Sequence, residues 1–185
     1  MIRSGTIARL LTGCILLGAV DMSYAQTNKR VQQDAFDVIG IAARTTNLDE
    51  AGPNGVIPQF WRRVFTEKLL DQIPNRIDSD IIALYTEYAS DEKGAYTFVL
   101  GARVKAGTAA PEGMRSVHVP AAGYFVFPTD RGPVEKVVPA EWQVIWNAFP
   151  SGAPAQRAFQ ADFELYGKSA ADPKNSQVYI YVGLK

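Results

Sequence analysis

Part of this chain occurs twice. Ile57-Pro58-Gln59-Phe60-Trp61-Arg62-Arg63-Val64-Phe65 is matched 81 residues later by Val138-Pro139-Ala140-Glu141-Trp142-Gln143-Val144-Ile145-Trp146. Both read aliphatic, Pro, two variable positions, Trp, and an aromatic one helical turn further on. At nearly the same offset Tyr96-Thr97-Phe98-Val99-Leu100-Gly101 recurs as Val178-Tyr179-Ile180-Tyr181-Val182-Gly183, and Leu84-Tyr85 as Leu165-Tyr166. Three blocks in one order at a shift of 81 or 82 residues describe a tandem duplication. Two copies do not make a solenoid. Units this small cannot hide their own apolar faces, so they are expected to pack together about a pseudo-two-fold axis.

Each unit reads as strand, helix, strand, strand. In the first, Ala35–Arg44 is β-rich and Asn47–Gly55 has loop composition. Helical spacing of Ile57, Phe60, Trp61, Val64, Phe65, Leu69 and Ile73 predicts a helix over Val56–Ile73. Pro58 falls in its first turn and Asn54 stands where a cap would. Strands follow at Ile81–Tyr88 and Tyr96–Val104, joined by the turn-rich Ser90–Gly94. In the second unit Ser116–Phe127 is a strand interrupted at Pro120–Gly123, which reads as a bulge or bend. A helix over Pro139–Phe149 lines up Val138, Trp142, Ile145, Trp146 and Phe149, and strands Arg157–Tyr166 and Gln177–Gly183 complete the unit. Lys105–Gly113 is the linker. The expected class is α+β, two β-α-β-β modules with mostly antiparallel sheets, the repeats covering 34–104 and 115–185.

Residues 1–25 read as an export leader. Arg3 and Arg9 precede the apolar run Leu11–Val20, and Ser23-Tyr24-Ala25 has small residues at the peptidase positions. The run is too short for a membrane span. Cleavage after Ala25 would leave a mature chain starting near Gln26, with 26–33 as an N-terminal tail, and would remove Cys14, the only cysteine. Leu11-Thr12-Gly13-Cys14 offers the alternative of a lipidated Cys14. A periplasmic or secreted location is expected. With 19 Lys+Arg against 19 Asp+Glu and no basic block, nucleic acid is not an expected partner. One Cys and one His cannot build an ordinary zinc site, and no cofactor is implied by any motif.

The strand and bend Pro120–Phe127, the helix with Trp142 and Trp146, Asp162-Phe163-Glu164-Leu165-Tyr166 and the closing Val178–Val182 together resemble the gyrase-inhibitor-like family, also known as the AraC-type effector-binding domain. The first unit shares the resemblance through Ile57–Trp61 and Tyr96–Gly101. It implies a ligand cleft between paired modules and binding of lipophilic, often cationic molecules by aromatics and a glutamate, whose place Glu164 takes. A separate DNA-binding unit is not expected, which counts against a transcriptional or gyrase role.

Alternation along Phe159–Tyr166 puts Phe159, Ala161, Phe163 and Leu165 on one face and Asp162, Glu164 and Tyr166 on the other. The first set is expected to meet the helix, and the second to line the cleft together with Tyr181. The same alternation also describes a plain solvent-facing strand. The candidate ligand-binding residues are Glu164, Tyr124, Tyr166, Tyr85, Trp61, Trp142, Trp146 and Tyr181. Tyr124 is included because it follows the Gly123 bend, and the tryptophans could equally be core. Three functions fit: an exported binder of lipophilic, cationic or aromatic small molecules, a hydrolase of strained-ring or electrophilic compounds using Glu164 with Tyr124 or a tryptophan, and a haem-binding protein with His118 as ligand.

Overall fold

The computed structural model describes residues 29–53, 55–149 and 156–185. The leader expected over residues 1–25, with Cys14, and the cap expected at Asn54 lie outside these. Eight antiparallel strands form one sheet: β1 Lys29–Gln33, β2 Phe36–Thr45, β3 Ile81–Thr86, β4 Tyr96–Val104, β5 Arg115–Val119, β6 Ala122–Pro128, β7 Ala161–Tyr166 and β8 Tyr179–Gly183. Their order is β1-β6-β8-β7-β3-β4-β2-β5, which reads as two matching halves meeting at β7 and β3. The duplication thus becomes a pseudo-two-fold axis between those strands.

Each module carries one strand more than expected. The segment 29–33, expected as a tail, is β1, and it pairs with β6 of the other module just as β5 pairs with β2. The break at Pro120-Ala121 is therefore not a bulge within one strand. It is the crossing that takes the chain from β5 at one end of the sheet to β6 near the other. Two-residue links at Asp34-Ala35 and Pro120-Ala121 can join strands at opposite ends only because the sheet curls into a half-barrel. Val38, Leu84, Val99, Val117, Tyr124 and Phe163 meet inside the curl, although they come from strands far apart in the sheet order. Gly40 and Gly101 face each other across β2 and β4. A Cβ on either would run into the partner's backbone, at the Leu100 or Ile39 carbonyl, so this close approach requires glycine.

The helices lie on the outer face. Helix α1 is the single turn Asn47–Glu50, α2 is Val56–Thr66 and α3 is Val134–Ala148. Helix α2 is shorter than the apolar stripe suggested. Lys68 turns left-handed, and Leu69 and Ile73 reach the core through a 3-10 turn, Leu69–Gln72. Helix α3 starts five residues before Pro139, right after Pro133, so Pro139 sits inside it and leaves one carbonyl without its helical donor. Phe60 and Val64 pack α2 on Leu100 and Phe98, while Val138, Trp142 and Ile145 pack α3 on Ile180 and Val178. Each helix covers its own half of the sheet, and the seam between them is left over β3 and β7.

Candidate functional site

The seam is a cleft of about 1200 Å³. One wall is α2 with Ile57, Trp61 and Phe65, the other is α3 with Val138, Trp142 and Trp146, and the floor is Tyr85 of β3 with Glu164 and Tyr166 of β7. The duplication explains the aromatic pairing. Trp61 meets Tyr166 edge-on with centroids 4.6 Å apart, and its repeat mate Trp142 meets Tyr85 at 5.2 Å. Each helix therefore rests its tryptophan on the other module's tyrosine, which ties the two halves together across the axis.

The symmetry fails at the floor. Glu164 stands directly across from Ala83, its counterpart in the first module. Its side chain is 2% exposed, and it is enclosed by donors: Trp142 Nε1 and Tyr85 Oη donate to Oε1 at 2.6 and 2.7 Å, and Tyr166 Oη donates to Oε2 at 2.6 Å. Burial raises its pKa above the ordinary carboxylate value against the opposing pull of these three hydrogen bonds. The two tyrosines are in turn pushed well above their usual range, first by burial and then by the Glu164 charge. All three donors are neutral, so the carboxylate is hydrogen-bonded yet has no cationic partner among the described residues.

Two residues earlier on the same strand face, Asp162 is fully buried and compensated. Arg157 Nη2 lies 2.6 Å from Oδ2, Tyr88 Oη donates to the same oxygen at 2.7 Å, and the Gly183 amide donates to Oδ1 at 2.8 Å. Glu50 is engaged as well. It bonds Thr45 Oγ1 at 2.6 Å and accepts the Val56 and Ile57 amides at 3.0 Å each, supplying the negative charge that the start of α2 favours. Glu135 and Lys168 stand exposed at the mouth. Deep in the cleft, Glu164 is the one carboxylate among the described residues without a cation or helix terminus to balance it.

Six of the eight sequence candidates meet here: Glu164, Tyr166, Tyr85, Trp61, Trp142 and Trp146. Tyr124 and Tyr181 do not. They belong to the inside of the curl, where Tyr181 stacks on Phe163 at 4.4 Å and Tyr124 meets Phe163 edge-on at 5.4 Å. The expected face assignment of β7 is thus reversed: Phe163 points away from the helices and Glu164 points toward them. Strand register gives the reason. Glu164 is opposite Ile180, so it shares a face with that helix-packed residue, whereas Phe163 is opposite Tyr181. His118 stands on the edge strand β5, two-thirds exposed and 2.7 Å from Asp37, outside the cleft. Among the described residues no His, Cys, Asp and Glu group is gathered as for a metal, and no helix is long and apolar enough to cross a membrane.

Four similarities bear on this geometry. Residues 31–184 match the family model Cass2, integron-associated effector binding protein. A putative transcriptional regulator protein, YobU of Bacillus subtilis, is 34% identical over 149 residues, 79% of this chain and 90% of that one. The integron cassette protein VCH_CASS2 of Vibrio cholerae superposes with a TM-score of 0.68 at 27% identity, covering 85% of this chain and 95% of the other. The structure of SAV2435 bound to tetraphenylphosphonium superposes at 0.65 with 19% identity, over 85% and 93% of the two chains, and shows the same fold.

Proposed function

We infer that the chain, which belongs to the integron-associated effector-binding family, takes up a lipophilic organic cation in the cleft between α2 and α3, its charge held against Glu164 and its apolar body against Trp61, Trp142 and Trp146. The uncompensated Glu164 carboxylate on an aromatic floor carries this reading. Burial has already removed its hydration, so a ligand cation restores electrostatic stabilisation that water no longer gives. Ring faces add about 0.5–2 kcal/mol per cation contact. Tetraphenylphosphonium, the cation held by SAV2435, is of this chemical type.

Water activation by Glu164 is less well served. Both its oxygens already accept hydrogen bonds, and of the partners expected for a hydrolase, Tyr124 is on the other side of the sheet while Trp142 already donates to the carboxylate. Titration of the purified protein with tetraphenylphosphonium, followed by tryptophan fluorescence, tests the binding reading. Saturable quenching at one ligand per chain is expected, and no quenching up to millimolar cation would contradict it. The leader read over residues 1–25 extends the proposal to an exported binder. N-terminal sequencing of the mature protein is expected to begin at Gln26, and a start at Met1 would contradict export.

A further inference from the structure

The charged groups at and just beneath the cleft floor all lie in the second module. Where it has Asp162 and Glu164, the first has Ile81 and Ala83, 81 residues earlier. The third charge is Arg157, which borders the same cleft although its side chain is only 3% exposed. A guanidinium carries five N–H donors. Among the described residues Arg157 makes one side-chain hydrogen bond, from Nη2 to Asp162, and its Nε is buried with no acceptor. The guanidinium is held in place by Phe159, 4.4 Å from its ring centre, and by Trp142 at 5.8 Å, the same indole that donates to Glu164. A rigid, donor-rich cation with unmet hydrogen-bonding capacity thus stands one indole away from the lone carboxylate.

We propose that Arg157 is a second polar anchor of the cleft, giving a hydrogen bond to an acceptor carried by the same ligand whose cation meets Glu164. This rests on the cation reading above and narrows it to a class: cations bearing a carbonyl, ester or amide oxygen. Charge balance selects a neutral acceptor over a carboxylate. Asp162 already neutralises Arg157, so a monocation brings the floor to zero, and a zwitterion would leave the Glu164 charge unbalanced again. The spacing suits a compact aromatic ligand. Asp162, which holds Arg157, and Glu164 are two residues apart on one strand face, about 7 Å by strand rise.

Three dyes on one xanthene core test this: tetramethylrosamine, its methyl ester relative tetramethylrhodamine methyl ester, and the free acid tetramethylrhodamine. Fluorescence anisotropy with the wild-type protein is expected to show the ester binding at least fivefold tighter than the rosamine, with the free acid no tighter than the ester. In the double variant R157M/D162N, which removes the ion pair without stranding a charge, the ester-to-rosamine ratio is expected to fall to about one. Equal affinity of ester and rosamine for the wild type, an advantage that survives in the double variant, or tightest binding of the free acid would each overturn the assignment. Failure of the cation reading looks different, because then neither cationic dye binds.

Discussion

Replacing Arg157 by Met leaves Asp162 as a buried carboxylate with its Tyr88 and Gly183 hydrogen bonds but no counter-charge. Both partners of the pair are almost wholly enclosed, at 3% and 0% exposure, and the contact is 2.6 Å. Stranding one charge of such a pair costs about 3–5 kcal/mol, against a total stability of roughly 5–15 kcal/mol for a domain. At about 2–4 °C per kcal/mol for a chain of this length, R157M is expected to melt about 6–20 °C lower. Urea denaturation of wild type, R157M, D162N and R157M/D162N gives the full cycle. In the double variant the carboxamide that D162N introduces can still accept the Gly183 amide through its carbonyl, and Tyr88 can turn its hydroxyl to accept from the new NH₂ group. Stability should therefore return to within about 1 kcal/mol of wild type. A loss below 1 kcal/mol in R157M, or a double variant no better than the single, would refute the reasoning. Asp162 could then no longer be counted as compensated by Arg157.

Further outcomes follow from the same geometry. Because burial holds the Glu164 pKa above its ordinary value, the folded protein keeps that proton to higher pH than the unfolded chain. This stabilising contribution is complete below the unfolded pKa and is lost as pH rises through the folded one. Melting curves of unliganded Glu164→Gln should lack this slope and show a higher Tm than wild type at pH 7; a lower Tm contradicts the dominance of burial. A bound cation favours the ionised carboxylate, so wild-type affinity for tetraphenylphosphonium should rise with pH through the raised Glu164 pKa and then level off, while Glu164→Gln stays flat. Trp61→Ala should weaken that cation by about 0.5–2 kcal/mol, whereas Tyr124→Phe, on the far face of the sheet, should leave it unchanged in fluorescence titration. Gly101→Ala, which drives a Cβ toward the Ile39 carbonyl, should lower the Tm with the cleft residues untouched.

The helix stripes and the two-fold design were legible because both are written in spacing. Trp61 and Trp142 repeat at a fixed offset, and their apolar neighbours keep a helical period. Which side of β7 meets the helices was not legible. Alternation separates two faces without labelling them, and in a curled sheet both are buried, so the apolar Phe163 face looked like the helix-packed one when it lines the inside of the curl. Tyr181 was misplaced for the same reason. Pro120 marked a break correctly, but whether the chain then rejoins the same strand or crosses to another depends on pairing partners distant in sequence. The Arg157 and Asp162 pair went unnoticed because the run Arg157–Tyr166 read as one strand. Regular pairing starts only at Ala161, after the left-handed Phe159, and that turn brings the arginine back over its own strand. Glu50 at the start of α2 had no signal at the usual cap position, since its carboxylate reaches the helix from six residues away.

Calorimetric titration of wild type and Glu164→Gln with tetraphenylphosphonium, at one pH above the range where the glutamate titrates, measures the charge interaction itself. A phosphonium centre held about 6 Å from the carboxylate, at an effective dielectric constant of about 20, gains about 3 kcal/mol. The account predicts that the variant binds about a hundredfold more weakly, with little change on adding salt because the pair is shielded from counter-ions. Equal affinities for the two proteins would contradict it.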